Sequence, residues 1–324
     1  MLNYQYHFIQ KGAINVNKIL VFGHQNPDTD AITSAISYTY LLNQQGIEAE
    51  AVALGKVNEE TAYALKEFGQ DAPRVIESIG SQTDTVALVD HNESQQSVSD
   101  LAEVQVHSVV DHHKIGDFTS ASPLTFIAKP YGCSQTIIFE LFQEAGIEIP
   151  KEIAGLMLSA IISDTLLFKS PTTTEMDKKV GLALAEIAGV DVEKYGLALL
   201  KSGTNVDAKS ASEIADGDAK SFEMAGKPVR IGQINVVDVN DVLKRKEEVI
   251  AAMKELITAN EYAAFLLVVT NILTSDSEGL LVGSDDFVQH VEQAYGGQVI
   301  DNQIYLPGVV SRKKQVVPPL QSTF

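Results

Sequence analysis

The stretch KILVFGHQNPDTDAI, residues 18–32, joins an apolar run to a helical pattern through one histidine and two aspartates. The run KILVFG is typical of a buried strand, and DAITSAIS continues with the spacing of a helix. Either Thr29 or Asp30 could cap that helix. Capping accounts for only one of the polar residues, and it leaves His24 and Asp28 without a structural role.

Strands and helices alternate through the first half of the chain. EAEAVALG, TVALVDH and VHSVVDHH predict further strands, and NEETAYALKEFG and SVSDLAEV predict helices between them. This alternation predicts βαβ units and a doubly wound, mostly parallel sheet. Strands such as TVALV are apolar on both faces, as central parallel strands are. After residue 133 the pattern becomes helical.

The length of 324 residues is typical of two domains. A small, polar and poorly periodic stretch near residues 203–218 marks the boundary. The later sequence predicts a hairpin (SFEMAGKPVRIGQINVVD), a charged helix, two strands, a helix and a last strand, which together make a smaller α/β domain with a mixed sheet. We therefore predict an N-terminal extension over residues 1–17, a first domain over 18–203, a linker or hinge over 204–210, and a second domain over 211–324.

The composition favours a soluble cytoplasmic protein. Hydrophobic residues make up 45% of the chain, yet no apolar run approaches the ~18 residues of a membrane span, and the N-terminus lacks a signal-peptide pattern. The one cysteine, Cys133, excludes an intramolecular disulfide and favours a reducing compartment. A net charge of −19 repels nucleic acid and anionic membranes. It also repels a phosphate substrate, unless bound cations reverse the local field.

Aspartate or histidine recurs where apolar segments of the first domain end. Three of these clusters follow strands, and the carboxyl ends of parallel strands meet at one crevice. Each residue alone has an ordinary explanation as a cap, a turn residue or a structural histidine. Independent caps have no reason to gather at neighbouring strand ends, so the joint pattern favours a shared metal site. The candidate ligands are His24, Asp28, Asp30, Asp90, His112 and Asp164.

Six protein ligands are too many for one catalytic ion and suit two ions that share a bridging carboxylate. Oxygen-rich coordination with some imidazole favours Mn²⁺, Co²⁺, Fe²⁺ or Mg²⁺ over a structural zinc site. Two such ions can acidify a shared water, which predicts hydrolysis at phosphorus. Four carboxylates and two dications also cancel in charge, which removes the conflict with an anionic substrate.

The motifs GHQNPDTDAI, LVDHNE, VVDHHKI and LSAIISDT together resemble the DHH phosphoesterase superfamily. The chain is most similar to its family II, manganese-dependent inorganic pyrophosphatases, from about Lys18 through DAKSF, GQINVVD and GVVSRKKQVVP. The chain departs from the family pattern in its extension before KILVFGH, since members of the family usually begin close to that strand. The resemblance implies hydrolysis of diphosphate to two orthophosphates, an active site in the cleft between the domains, and a homodimer. It also implies two Mn²⁺ per subunit, with Co²⁺ or Mg²⁺ as substitutes, and further Mg²⁺ or Mn²⁺ arriving with the substrate.

The resemblance also assigns roles within the site. It gives the first metal to His24 and Asp28, and makes Asp90 the bridge between the ions. His113 would face the substrate as a hydrogen-bond donor or acid near the leaving phosphate. The second metal would be held by Asp30, His112 and Asp164.

The family's phosphate-binding cations match Lys220, in DAKSF, and Arg312 with Lys313, in SRKKQ. Without the resemblance, SRKKQ would be interpreted as a solvated basic tail. Lys209 lies in a second DAK and could be confused with Lys220, but the apolar strand GQINVVD soon after Lys220 favours the latter.

Two other functions remain as alternatives. Other DHH phosphodiesterases, such as single-strand exonucleases or cyclic-dinucleotide hydrolases, carry a glycine-rich GGGH-type motif, whereas this chain has only YGGQ at residues 295–298. The negative charge also argues against a DNA substrate. A non-catalytic binding module would predict gaps among the ligands, and none of the ligands is missing.

Overall fold

A computed structural model of the protein describes residues 18–324, so the predicted extension over residues 1–17 lies outside the described residues. The chain divides into two compact units. The first contains the described chain up to Ile161 together with Thr172–Gly189, and the second contains Ile162–Pro171 and Val190–Phe324. Of the helices between residues 18 and 324, none is both long and apolar enough to span a membrane.

The first unit is built on a six-stranded sheet in which every neighbouring pair is parallel. Its strand order is β3-β2-β1-β4-β5-β6. The order reverses between β1 and β4, and such a switch point opens a crevice at the carboxyl ends of the strands. The predicted doubly wound sheet is confirmed. Its strands are β1 (Ile19–Phe22), β2 (Ala49–Ala53), β3 (Arg74–Val75), β4 (Thr85–Val89), β5 (Gln105–Asp111) and β6 (Thr125–Ala128).

Helices cover this sheet, and one of them begins at the switch point. Its first turn packs so close to the end of β1 that a Cβ on Gly23 would lie 2.6 Å from the Cα of Ala31. A residue without a side chain is therefore required there. The helices are α1 (Thr29–Gln44), α2 (Glu59–Glu67), α3 (Ser134–Ala145), α4 (Lys151–Thr165) and α5 (Glu175–Ala188). The chain passes from the first unit into the second within α4.

The prediction of a helix in SVSDLAEV is wrong. The region instead holds two 3₁₀ turns, Ser94–Gln96 and Leu101–Glu103. Asp100 lies between them, and its carboxylate accepts hydrogen bonds from the backbone N–H groups of Ile79 and Gly80 at 3.1 and 2.8 Å. A side chain committed to a distant backbone segment competes with a regular helix at this point.

The second unit contains a five-stranded sheet of order β11-β10-β9-β8-β7. Only the β8–β9 pair is parallel, so the sheet is mixed, as predicted. The predicted hairpin forms from the first two strands. The strands are β7 (Ala219–Met224), β8 (Lys227–Val236), β9 (Ala264–Asn271), β10 (Asp276–Val282) and β11 (Gln303–Leu306).

The strand β9 divides the core of this unit into two layers. Leu266 and Val268 pack into one buried cluster, whereas Phe265 and Leu267 pack into another. Successive side chains of a strand point to opposite faces, so a strand that is apolar throughout requires cover on both. The helices are α6 (Val192–Thr204), α7 (Ala211–Asp216), α8 (Asn240–Leu243), α9 (Lys246–Asn260), α10 (Asp285–Tyr295) and α11 (Val317–Gln321).

The predicted linker over residues 204–210 contains a 3₁₀ turn, Val206–Ala208. Val206 is buried in the core of the second unit. The role of this segment as a hinge, and the predicted domain limits, stay predictions.

Candidate metal centre

Asp28, and neither Thr29 nor Asp30, caps α1. Its Oδ1 accepts a hydrogen bond from the backbone N–H of Ala31 at 3.0 Å. The cap occupies one carboxylate oxygen only. The other, Oδ2, lies 3.5 Å from Nε2 of His24, so Asp28 combines a structural role with one in the site.

His24 follows β1 and has a defined orientation. Its Nδ1 lies 2.8 Å from the carbonyl oxygen of Gln25, which places the proton on Nδ1 and leaves Nε2 available. That Nε2 lies 3.5 Å from Oδ2 of Asp28 and 3.5 Å from Oδ2 of Asp90. Burial alone would lower the pKa of His24, but the bonds to Asp28 and Gln25 and the charge of Asp90 outweigh it and raise the pKa to about 9. A cation at Nε2 therefore competes with a proton.

Asp90 is the centre of the cluster. It follows β4 with φ +58°, a left-handed conformation that aspartate and asparagine tolerate better than most residues. Its side chain is buried, with Oδ1 3.3 Å from Nε2 of His112 and Oδ2 3.5 Å from Nε2 of His24. Burial, together with the charges of Asp30 and Asp28, raises the pKa of Asp90 well above its usual range.

His112 follows β5 and is oriented in the same manner as His24. Its Nδ1 lies 3.1 Å from the carbonyl oxygen of Tyr131, and its Nε2 lies 4.0 Å from Oδ2 of Asp30. Asp30 is buried in the first turn of α1. It accepts hydrogen bonds from the Ser34 hydroxyl at 2.6 Å and from the backbone N–H of Ser134 at 2.7 Å.

These groups fit one or more divalent cations. Potential ligand atoms of His24, Asp28 and Asp90 all lie within 4.8 Å of one another, as do those of Asp90, His112 and His113. Buried carboxylates that face each other are costly unless a cation joins them. His24 and His112 both direct Nε2 toward Asp90, and the Nδ1 partner of each is a backbone carbonyl, the arrangement that orients imidazole ligands of metals.

His113 differs from the other two histidines. Its Nδ1 lies 2.9 Å from Oδ1 of Asp111, and its side chain is 52% exposed. The hydrogen bond that His113 donates to the Asp111 carboxylate raises the pKa of His113 against the opposing effect of burial. Because Nδ1 is engaged, Nε2 is the nitrogen left for a substrate.

Asp164 lies in the last turn of α4, in a segment that belongs to the second unit, and its place among the ligands stays a prediction. The three residues Leu166, Leu167 and Phe168 have φ values of 47°, 54° and 64°. Left-handed conformations are unfavourable for such side chains, and backbone strain of this kind clusters at functional sites.

Cys133 is buried at the start of α3.

The predicted phosphate-binding cations lie in the second unit. Lys220 is exposed on β7, and Lys313 is exposed in the π-helical turn Arg312–Val316. Arg312 is only 12% exposed and forms a salt bridge with Asp218 at 2.9 Å. Lys209 donates to the carbonyl oxygen of Thr204 at 2.9 Å. Among residues 18–324, no ion pair engages Lys220 or Lys313, so both ammonium groups are available to an anion.

Sequence reasoning missed the residues that hydrogen-bond to the predicted ligands and to Asp111. Ser134 donates its hydroxyl to Oδ1 of Asp90 at 3.1 Å. Asn92 donates to Asp111, and Ser34 to Asp30. Asn92 lies within the quoted motif LVDHNE and could have been noticed there, whereas the serines carry no signal in the sequence.

Two family descriptions match the chain. "DHH family, N-terminal domain" matches residues 18–161, and "DHHA2 domain" matches residues 197–323. The first range contains five of the six predicted metal ligands, and the second contains the three predicted cations.

Similar proteins extend over nearly the whole chain. It is 57% identical over 309 residues to a probable manganese-dependent inorganic pyrophosphatase of Lactobacillus acidophilus, covering 95% of this chain and 99% of the relative. It is 55% identical over 309 residues to the protein of that name from Enterococcus faecalis, covering 95% and 100%. A crystal structure of a putative family II inorganic pyrophosphatase from Methanococcus jannaschii is similar at 41% identity and a TM-score of 0.59, covering 94% of this chain and 98% of that one.

Proposed function

This chain belongs to the family II, manganese-dependent inorganic pyrophosphatases of the DHH superfamily, and we propose that it hydrolyses diphosphate to two orthophosphates at a two-metal centre. Membership follows from the high identity over the full length of the relatives. Their shared name supports diphosphate as the substrate and does not favour the alternative phosphodiesterase reactions.

The observation that carries the two-metal proposal is the position of Asp90. Its two carboxylate oxygens face different imidazoles, Oδ2 toward His24 and Oδ1 toward His112. One carboxylate between two oriented nitrogen ligands is the arrangement that a bridging ligand requires. His24 and Asp28 would hold one ion, and Asp30, His112 and Asp164 the other.

The ions, when bound, would lower the pKa of a shared water toward neutrality and so supply the hydroxide nucleophile. Manganese is named for the relatives. Two ions per subunit, Co²⁺ or Mg²⁺ as substitutes, and additional Mg²⁺ or Mn²⁺ with the substrate are part of the proposal.

The side chains around the metal ligands have separate tasks. His113 has a half-exposed side chain whose Nδ1 is held by Asp111, and its Nε2 would donate a proton or hydrogen bond to the leaving phosphate. Lys220, Arg312 and Lys313 would neutralise the phosphoryl oxygens as charge moves to the leaving group. Arg312 is held by Asp218, which would fix its guanidinium in one orientation.

We also propose that the protein is a cytoplasmic homodimer. The single cysteine suits a reducing compartment. The edge strand β6 carries backbone groups that a second chain could pair with. Light scattering at micromolar concentration should give twice the chain mass of 35.0 kDa, and a monomer mass would contradict the dimer.

The test of function is phosphate release by protein stripped of metal and then supplied with Mn²⁺. Single-stranded DNA and a cyclic dinucleotide serve as parallel substrates. We expect fast cleavage of diphosphate alone, and only with metal. Comparable turnover of either control substrate would contradict the proposal.

A further inference from the structure

We infer that Asn92 is a positioning residue for His113, acting through the buried carboxylate of Asp111. This inference rests on the role proposed above for His113. Asn92 lies two residues beyond Asp90, in the loop that follows β4, and is 3% exposed. Its side chain reaches the loop that follows β5, which carries His113.

Every polar atom of the Asn92 side chain is engaged with that second loop. Nδ2 donates to Oδ2 of Asp111 at 2.5 Å and to the carbonyl oxygen of Lys114 at 3.0 Å. Oδ1 accepts from the backbone N–H of Gly116 at 2.6 Å. A carboxylate and a carbonyl can only accept, and an N–H can only donate, so the partners fix which way the amide points.

Asp111 connects Asn92 to the imidazole of His113. Its side chain is fully buried, and Asn92 occupies Oδ2. Oδ1 accepts both from the backbone N–H of His113 at 3.0 Å and from its Nδ1 at 2.9 Å. Oδ1 of Asp111 therefore fixes both the backbone and the ring orientation of His113.

Asn92 also holds the backbone on the far side of His113. Its bonds to Lys114 and Gly116 fix the chain directly after the imidazole. Space is tight here, since a Cβ on Gly116 would lie 2.4 Å from Cγ of Glu93. The loop is thus clamped both before and after His113.

The clamp matters because the His113 side chain is half exposed, at 52%. Packing alone does not select the direction of such a ring. Misplacement of a reacting group by about 1 Å can reduce a rate by about 10²-fold. A buried amide that holds a buried carboxylate supplies a fixed orientation, in which Nδ1 of His113 is held by Asp111 and Nε2 is left for the substrate.

The first test compares Asn92→Ala and Asn92→Asp with wild type. We expect Asn92→Ala to lower kcat by about 10- to 100-fold, with KM and Mn²⁺ affinity changed less than about threefold. Asn92→Asp keeps the acceptor for Gly116 but replaces both donors with an acceptor against Asp111, so it should lower kcat further. Ser94→Ala is the matched control: it removes a hydroxyl bond to Asp117 between the same two loops and should leave kcat near wild type.

A double-mutant cycle separates positioning from general support of the fold. If Asn92 acts through His113, then Asn92→Ala should change kcat by less than about threefold in a His113→Gln background. A full additional loss in that background would overturn the inference. So would a parallel loss of Mn²⁺ affinity in Asn92→Ala.

A spectroscopic measurement tests the clamp independently of activity. Imidazole ¹⁵N spectra of the Mg²⁺-loaded protein should show one hydrogen-bonded Nδ1–H signal for His113 in wild type and in Ser94→Ala, and a signal broadened or lost through exchange with water in Asn92→Ala. An unchanged Nδ1–H signal in Asn92→Ala would overturn the inference. If His113→Gln instead retains full activity, the proposed role of His113 fails, while the spectra still decide whether Asn92 orients the ring.

Discussion

At the scale of the residue, Asp90 combines two demands that few side chains satisfy. Its backbone is left-handed, and both of its carboxylate oxygens face imidazole nitrogens in a buried site. Burial and the neighbouring Asp28 and Asp30 disfavour its charge in the metal-free protein. Asp90, which we propose holds cations, should therefore destabilise the protein when they are absent.

Asp90→Asn tests this combination. Asparagine tolerates the left-handed backbone and removes the bridging charge, so activity should fall by about 10³-fold or more. A raised carboxyl pKa means that stability is lost as pH rises above the unfolded value. The metal-free variant should consequently melt at or above the wild-type temperature near neutral pH.

Calorimetry measures the melting temperature of the metal-free Asp90→Asn protein, and steady-state kinetics on the same preparation measures its loss of activity. Asp90→Ala is the comparison, because alanine is strained at positive φ and should melt below Asp90→Asn. Near-normal activity of Asp90→Asn would make Asp90 a turn residue only.

Metal binding should depend on pH through His24. Its pKa of about 9 in the metal-free site means that it is protonated at neutral pH, whereas a metal ligand must be neutral. Mn²⁺ affinity should rise about tenfold per pH unit between about pH 6 and 8, with release of at least about one proton per site. Titration calorimetry in buffers of different ionisation enthalpy measures that release, and His290→Gln, in the second unit, should not alter it. An affinity independent of pH would refute the assignment.

The polar residues at strand ends in the sequence were enough to predict the candidate ligands. They did not predict the residues that hydrogen-bond to those ligands. Asp30 and Asp90 follow from the pattern of apolar runs, yet Ser134 donates to them across 104 and 44 residues of sequence. Such partners depend on tertiary packing, which local pattern does not encode. The cap of α1 was mispredicted for a related reason, since Asp28 serves as cap and faces His24 at once.

At the scale of the element, strongly periodic segments were predictable and short ones were not. The buried strand β9 and the amphipathic helix α10 follow from their patterns. The strand β6 does not, because it depends on pairing with β5. The two 3₁₀ turns do not either, because the tertiary hydrogen bonds of Asp100 compete with a helix there. A phosphate-binding role for the turn Arg312–Val316 was predicted only with the help of the family resemblance, since the sequence alone favours a solvated tail there.

Lys313→Ala tests what that turn does. Loss of a charge-assisted contact to phosphate should reduce kcat/KM by about 30- to 1,000-fold, equivalent to about 2–4 kcal/mol. Mn²⁺ affinity should be unchanged, since the residue is not a metal ligand. Kinetics and metal titration on one preparation provide both values.

The adjacent Lys314 supplies the control. It is exposed on the same turn, so Lys314→Ala removes an equal charge from nearly the same place and should change kcat/KM much less. Equal kinetics for the two variants would return SRKKQ to a solvated tail.

At the scale of the whole molecule, a chain of net charge −19 acts on an anion. Electrostatics disfavour that encounter unless dications neutralise the carboxylates at the strand ends. We therefore expect metal binding to be a condition for substrate binding, and in the proposed mechanism it would also supply the nucleophile. In the proposed site, two ions would share Asp90.

Electron paramagnetic resonance of Mn²⁺ titrated into metal-stripped protein tests whether two ions share Asp90. We expect two Mn²⁺ to bind per chain with the spectrum of a magnetically coupled pair, and Asp90→Asn to abolish the coupling. One tightly bound ion per chain, or two ions with the spectrum of isolated Mn²⁺, would contradict it.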